Sequence, residues 1–171
     1  MKPVKKMKKI PSERKKMPTT KRQFCTFQLA GHYCGVDILD VKEIIDEVTL
    51  TQIHHAPPEM MGFVNIRGHV HLVLDLRLLL NFTSKPLDES SRVLLFHPNV
   101  GESFGVMVDQ IGHMVEVEES LIEYRIADEN ISGIGRDFRK TDLEKGVCKL
   151  KDKLLIILDA SMFLSAVEFK R

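Results

Sequence analysis

The sequence predicts a mainly β protein, built as a pair of small barrels or as a sandwich, with only short helices. Three observations lead to this fold class. Short segments of alternating apolar and polar residues follow one another closely, the turns between them are rich in Gly and Asp, and no long helical pattern interrupts them. The same pattern excludes an α/β nucleotide-binding fold, in which strands alternate with longer helices.

The composition is that of a globular domain, with 171 residues of which 43% are hydrophobic and 29% charged. A chain of this length buries roughly two-thirds of its unfolded surface. The longest apolar runs, such as residues 154–158, are too short to cross a bilayer. The three cysteines, Cys25, Cys34 and Cys148, form no CxxC pair, which predicts reduced thiols in a cytoplasmic protein.

Residues 1–22 differ from the rest of the chain, because they carry a net charge of +9 whereas the remainder carries −8. This segment has three prolines and no aromatic residue, so it is predicted to be a disordered basic tail. It also lacks the apolar stretch of a secretory signal. Two interpretations remain open: an arm that binds nucleic acid or an anionic membrane, or a solvated leader with the true start at Met7 or Met17.

The body opens with the pattern of a β-hairpin followed by a short helix. Residues 24–29 and 33–38 alternate as two strands around a Gly-containing turn. In residues 39–45 the apolar positions are spaced as on one face of a helix. Asp37 or Asp40 is its predicted cap.

The stretch after Pro57-Pro58 is the most strongly patterned part of the chain. A turn is predicted at Asn65-Ile66-Arg67-Gly68, where Gly68 can adopt a positive φ. A strand at 69–74 follows, and Asp75 is positioned to cap a short helix at 76–80.

The remaining elements follow from the same alternation and from turn residues. They are strands at 48–53, 93–96, 103–108 and 111–117, a polar linker at 84–91, a charged loop region at 123–145, a hairpin at 150–159 and a C-terminal helix from Ser161 to about Phe169.

Motifs for catalysis or metal binding are weak. His69 and His71 are two apart on one strand, a spacing at which two imidazoles can reach a common metal ion. No HExxH or CxxC supplies further ligands, so a solvated strand face is favoured over a metal-dependent enzyme. No GxSxG is present, and Gly133-Ile134-Gly135 lacks the rest of a phosphate-binding loop. We therefore predict no catalytic residues and no metal.

Glu43 and Arg67 are isolated charges among apolar neighbours. Each is a candidate partner for the other, and a partly buried pair would orient its surroundings more than it would stabilise them. The alternative is that they are two independent surface charges.

Several runs of the body match the motifs of a known family at its spacing. They are Gln23-Phe24-Cys25-Thr26-Phe27-Gln28-Leu29, the run 33–44, Pro57, Gly62, Asn65-Ile66-Arg67-Gly68, Asp75-Leu76-Arg77, Gly105-Val106-Met107-Val108-Asp109 with Ile111 and Val115, and the run 153–159. With these runs the chain resembles the CheW-like chemotaxis adaptors over about residues 23–165.

The resemblance implies two Src-homology-3-like barrels of five strands each, packed on a shared core, with short helices and a C-terminal helix. It implies a CheW-like domain at 23–171. The approximate subdomains are 23–83 and 84–160, and the chain can cross between them.

The resemblance also implies a non-catalytic adaptor that couples chemoreceptor tips to the regulatory domain of the histidine kinase CheA. Such a protein is cytoplasmic, is recruited to membrane-associated receptor arrays without inserting into the membrane, and needs no cofactor. The alternative function is a small-barrel nucleic-acid-binding protein that uses the Lys-rich tail. In the adaptor family a cleft between the barrels receives the receptor tip, and Glu43 would pair with Arg67 to shape it. The candidate cleft residues are Val41, Ile44, Gly62, Arg67, Gly105, Ile111 and Met114.

The sequence departs from the family pattern in three places. Leu72 stands where the family usually has Pro, and His69 and His71 replace apolar residues. The stretch 123–145 keeps little of the family's Pro-rich segment, which bears on the second contact with the kinase.

Overall fold

The computed structural model describes residues 20–126 and 142–167. Most of the basic tail, the Gly133–Gly135 motif, the centre of the 123–145 region and the last four residues lie outside these ranges. The strands are β1 (Lys21–Leu29), β2 (His32–Asp37), β3 (Val41–Ile45), β4 (Met60–Ile66), β5 (His69–Asp75), β6 (Arg92–Phe96), β7 (Phe104–Val108), β8 (Gln110–Glu118), β9 (Ile122–Tyr124), β10 (Glu144–Lys149) and β11 (Leu154–Leu158).

The strands form two sheets, which confirms the mainly β, two-lobed fold. Sheet A has six strands in the order β8-β1-β2-β11-β10-β9, and sheet B has five in the order β3-β6-β7-β5-β4. Most neighbours are antiparallel, but β11 pairs with β2 and β7 pairs with β5 in parallel. Sheet A therefore has one strand more than the five that the family resemblance implies.

The sheets do not divide the chain at residue 83. The chain leaves sheet A after β2 through a 3-10 turn at Ile38–Asp40, builds all of sheet B, and returns to sheet A between β7 and β8. Sheet A is thus assembled from both ends of the described chain. The physical reason is the parallel pairing of β11 with β2, Ile156 opposite Cys34, which brings the C-terminal strands beside the N-terminal hairpin.

The described residues form three apolar clusters, one inside each curved sheet and one shared between the sheets. Strand β6 shows how they are divided: Val93 and Leu95 belong to the interior of sheet B, while Leu94 and Phe96 belong to the cluster shared with sheet A. Both faces of this strand are buried, which explains its continuous apolar run. Phe27 and Phe163 lie in the shared cluster and are fully buried.

The predicted helix at 39–45 is wrong. Residues 38–40 form a single 3-10 turn, with the Asp37 carboxylate accepting from Leu39 N at 2.9 Å, and Val41–Ile45 is strand β3. A bulge between Val41 and Glu43 adds one residue to the strand, so Val41 and Ile44 both face the shared cluster although they are three apart. That spacing imitates a helix.

Two other predictions also fail in part. Of the predicted strand at 48–53, the structure shows an isolated bridge of Thr51 with Phe63. The predicted C-terminal helix begins with a 3-10 turn at Ala160–Met162, and the described residues after it form turns. The short helix after Asp75 is confirmed as α1 (Leu76–Leu79), capped by the Asp75 carboxylate, which accepts from Leu78 N at 3.3 Å.

The Thr51 bridge closes sheet B into a barrel. The chain that follows β3, one edge of the sheet, reaches the other edge at β4, where Thr51 and Phe63 exchange two backbone hydrogen bonds of 2.8 Å. Gly62 permits this approach, because a Cβ at that position would lie 2.5 Å from the Thr51 carbonyl oxygen.

Candidate functional site

The turn between β4 and β5 presents Arg67 at its tip. Ile66 pairs with His69, which leaves a two-residue loop of Arg67 and Gly68, with φ of 51° and 84°. Two positive φ values are the pattern of a type I′ hairpin turn, in which Gly is favoured at the second position. The Asn65 side chain supports the turn, since its Oδ1 accepts from Gly68 N at 2.9 Å.

Arg67 forms a bidentate ion pair with Glu43 of β3. Its Nη2 donates to Oε1 at 2.6 Å and its Nη1 donates to Oε2 at 2.9 Å. The hydrogen bond from Arg67 lowers the pKa of Glu43, and the same bond raises that of Arg67. The side chain of Arg67 is 75% exposed and that of Glu43 is 26% exposed, so the two residues do pair and the pair is partly buried on its Glu43 side only.

His71, on strand β5, lies inside the barrel of sheet B. It is opposite Val64, a residue of the interior cluster, and only 7% of its surface is exposed. Its Nδ1 is buried and has no hydrogen-bond partner among the residues that the structure describes. Burial lowers the pKa of His71, and Lys42 and His69 lower it further, whereas Glu43 opposes the shift. The favoured interpretation of a solvated strand face is therefore wrong for His71.

His69, unlike His71, is exposed on the same strand. Among residues 20–126 and 142–167, no group of three His, Cys, Asp or Glu side chains is arranged to hold a metal ion. Nor does any helix in these ranges have the length and apolar character needed to span a bilayer.

Four of the predicted cleft residues lie where the two sheet faces that form the shared cluster reach the surface. We call these two margins the rims. On sheet B, Val41 packs against this cluster and Ile44, opposite buried Leu94, is 39% exposed. On sheet A, Ile111 packs against the cluster and Met114 is 59% exposed.

The two rims are built in the same way. Ile111 and Met114 lie opposite Phe27 and Cys25, so strand β8 carries an extra residue between them. A bulge of this kind turns two apolar residues, three apart, toward one face. The bulge in β3 does the same for its pair of rim residues.

The predicted cleft glycines occupy different positions. Gly62 and Gly105 are both buried within sheet B. A Cβ at Gly105 would lie 2.5 Å from the Leu94 carbonyl oxygen, as one at Gly62 would from Thr51. These glycines set how closely neighbouring segments approach, and they present no open surface of their own.

Two further exposed apolar side chains, which were not among the predicted cleft residues, share one face of sheet B. Phe63, opposite Leu72, is 39% exposed, and Val70 on the neighbouring strand is 54% exposed. The alternation of β5 could have indicated Val70, since it shares a strand face with Leu72 and Leu74.

A second missed feature is the ion pair of Arg77 with Asp109, whose side chains are 19% and 17% exposed. Burial raises the pKa of Asp109, but hydrogen bonds from Arg77 and from the Ala30 amide outweigh it and hold that pKa below its ordinary value. Both residues stand in runs that match the family, but no local pattern indicates that they pair across 32 positions.

A family model described as "CheW-like domain" matches residues 23–168. The chain is 26% identical over 152 residues to the chemotaxis protein CheW of Treponema pallidum (strain Nichols), covering 87% of this chain and 85% of that protein. It is 29% identical over 146 residues to the chemotaxis protein CheW of Bacillus subtilis (strain 168), covering 85% and 88%. The crystal structure of the scaffolding protein TtCheW from Thermoanaerobacter tengcongensis is similar with a TM-score of 0.67 and 26% identity, over 81% of this chain and 89% of that one. The nucleic-acid alternative gains no support from these relatives.

Proposed function

The chain belongs to the CheW-like family of chemotaxis adaptors, and from this premise we propose that it couples chemoreceptor tips to the histidine kinase CheA. The proposal is a scaffold that holds two proteins together and makes or breaks no bond. It acts in the cytoplasm, at receptor arrays associated with the membrane.

The observation that carries the proposal is the apolar rim of the shared cluster. Ile44 and Met114 lie on the sheet faces that form the shared cluster. At their positions these faces are open to solvent, and the two side chains are 39% and 59% exposed. An amphipathic helix laid against such a rim would extend the apolar packing of the cluster. The tip of a chemoreceptor is a helical hairpin, so one of its helices could pack against the rim in this way.

The Glu43–Arg67 pair supports the proposal by fixing the hairpin tip against β3. A bidentate guanidinium–carboxylate contact is directional, so it holds the tip of the β4–β5 hairpin at a set distance from Ile44, the next residue of β3. We propose that this contact shapes the receptor-binding cleft.

We propose that the kinase binds to the exposed edges of outer strands in this chain. In the sheet orders, β8 and β9 are the outer strands of sheet A, whereas β4, an outer strand of sheet B, is already bridged to Thr51 in the chain that follows β3. A homologous barrel in the regulatory domain of CheA can pair with such edges or pack on them. Part of the second contact predicted for 123–145 lies outside the described residues.

The proposal is tested by mixing the purified chain with the CheA regulatory domain and with a receptor cytoplasmic fragment, and by measuring binding to each and stimulation of kinase activity by all three. We expect micromolar binding to each partner, in keeping with small signalling interfaces. Absence of binding to both partners would refute the proposal.

A further inference from the structure

The polypeptide chain passes from sheet B back to sheet A through a single residue. Strand β7 ends at Val108 and strand β8 begins at Gln110, so Asp109 alone connects the two lobes at this point. Its backbone is tied to sheet A, because Asp109 N donates to the carbonyl oxygen of Gln28 at 3.1 Å.

The side chain of Asp109 contacts both lobes at once. From sheet A, the amide of Ala30 in the β1–β2 turn donates to Oδ2 at 2.8 Å. From the sheet B side, Arg77 of α1 donates through Nε to Oδ1 at 2.8 Å and through Nη2 to Oδ2 at 2.6 Å. The third arm of Arg77 is also engaged, since Nη1 donates to the Thr83 carbonyl oxygen at 3.0 Å.

This arrangement supplies what the shared apolar cluster cannot. Apolar burial is favourable but non-directional, so it brings the two sheets together without selecting one angle between them. A forked guanidinium on a carboxylate has a preferred plane and preferred distances. The carboxylate is anchored to a turn of sheet A, and the guanidinium belongs to a helix that follows β5 of sheet B. The forked ion pair therefore fixes the orientation of one lobe relative to the other.

We propose that Asp109 and Arg77 are positioning residues. Their forked ion pair, called the clamp below, sets the angle between the two lobes and thereby the coupling of receptor to kinase. The functional half of this inference rests on the proposed function, whereas the structural half does not. Neither side chain has to touch a partner for the clamp to act.

The structural half is tested by a distance measurement between the lobes. Nitroxide labels on His69→Cys in β5 and Lys149→Cys in β10, both exposed, report that distance by pulsed electron spin resonance, while Cys25, Cys34 and Cys148 are buried. We expect Asp109→Asn to shift or broaden the distance distribution. Arg77→Lys, which keeps the charge but loses the fork, should do the same.

The matched control is Asp46→Asn. It removes the Arg92–Asp46 ion pair of 3.0 Å, which lies on the sheet B side alone, so its distance distribution should equal that of the parent. Circular dichroism of each variant verifies that the fold is retained. Parent-like distances in both clamp variants would overturn the inference, as would an equal change in the control.

The functional half is tested in the reconstituted kinase assay. We expect Asp109→Asn and Arg77→Lys to lower receptor-dependent kinase stimulation by about tenfold, while the affinity for the CheA regulatory domain alone changes less than about twofold. Altered distances with full stimulation would refute the functional half. If the parent chain itself gives no stimulation, the proposed function fails, and the distance measurement still decides whether the clamp exists.

Discussion

Arg67 at the tip of the β4–β5 hairpin donates hydrogen bonds to both carboxylate oxygens of Glu43 on β3, at 2.6 and 2.9 Å. The two residues are 24 positions apart, and their strands, β3 and β4–β5, lie at opposite sides of sheet B. The contact therefore exists because the sheet curves into a barrel, where the Thr51 bridge closes it. Both charges remain accessible at the surface next to the proposed cleft.

Breaking this ion pair should impair coupling more than stability. We expect Glu43→Ala and Arg67→Ala each to lower receptor-dependent kinase stimulation by about tenfold or more. The melting temperature should hardly change, because an exposed ion pair contributes little to folding. The charge-swapped variant, Glu43→Arg with Arg67→Glu, should regain part of the stimulation. A swapped variant no better than either single one would show that pairing is not what matters.

The turn conformation of Arg67 predicts a conflict between stability and function. Its φ of 51° at the first position of a type I′ turn is a conformation that Asn adopts more readily than Arg. We expect Arg67→Asn to raise the melting temperature by about 2–4 °C while coupling is lost with the ion pair. Calorimetry and the kinase assay on the same preparation measure both effects. A lower melting temperature than that of the parent would contradict the assignment of turn strain.

Gly62→Ala should destabilise the barrel of sheet B. The added Cβ would meet the Thr51 carbonyl oxygen at 2.5 Å, at a φ of 151° that side chains disfavour. We expect a loss of roughly 2–4 kcal/mol in the free energy of unfolding, measured by urea denaturation. Gly68→Ala is the control, since its φ is 84° but nothing lies within 4 Å, and it should cost about 1 kcal/mol. Equal losses for the two variants would refute the role of the close approach.

His71→Leu should stabilise the protein and reduce its sensitivity to acid. The substitution removes a buried Nδ1 that has no partner within residues 20–126 and 142–167, which should add about 1 kcal/mol to the free energy of unfolding. The folded pKa of His71 lies below its ordinary value of 6.5, so below that pH the unfolded chain binds the proton more readily and the parent loses stability as pH falls.

Urea unfolding of the parent and of His71→Leu between pH 7.5 and 5.0 measures this difference, and the parent should show the steeper decline. His69→Leu is the comparison variant, because His69 is an exposed histidine two residues away on the same strand. Since His69 contributes to the lowered pKa of His71, this variant should make the decline shallower but should not remove it. Identical slopes for the parent and His71→Leu would show that His71 does not titrate in this way.

The exposed rim residues should determine receptor affinity. Met114→Asp and Ile44→Asp place a charge where a receptor helix would pack, and each should weaken binding of the receptor fragment by about tenfold. Leu154→Asp is the control, since Leu154 is 51% exposed on sheet A but was not assigned to the cleft. Isothermal titration calorimetry of the three variants gives the comparison. An equal loss for Leu154→Asp would remove the case for a localised cleft.

The elements that local patterns predicted correctly are those in which the local signal and the tertiary environment agree. The hairpin at 24–38 alternates because one face of each strand is buried, and Asp75 caps α1 through its own carboxylate. The helix predicted at 39–45 failed because a bulge in β3, visible only when the strand is paired with β6, reproduces the spacing of a helix. The burial of His71 was missed because its strand face is enclosed only once Thr51 closes the barrel.

Residue patterns are sufficient to predict the mainly β class, most strand positions, the turn at 65–68 and membership of the family, since these depend on residues close together in the chain. The folded protein was needed to show which strands share a sheet, that the C-terminal strands return to the N-terminal hairpin, and that Asp109 meets Arg77. Those contacts join distant positions, and their energies depend on burial and directed hydrogen bonds that arise only when the two sheets pack.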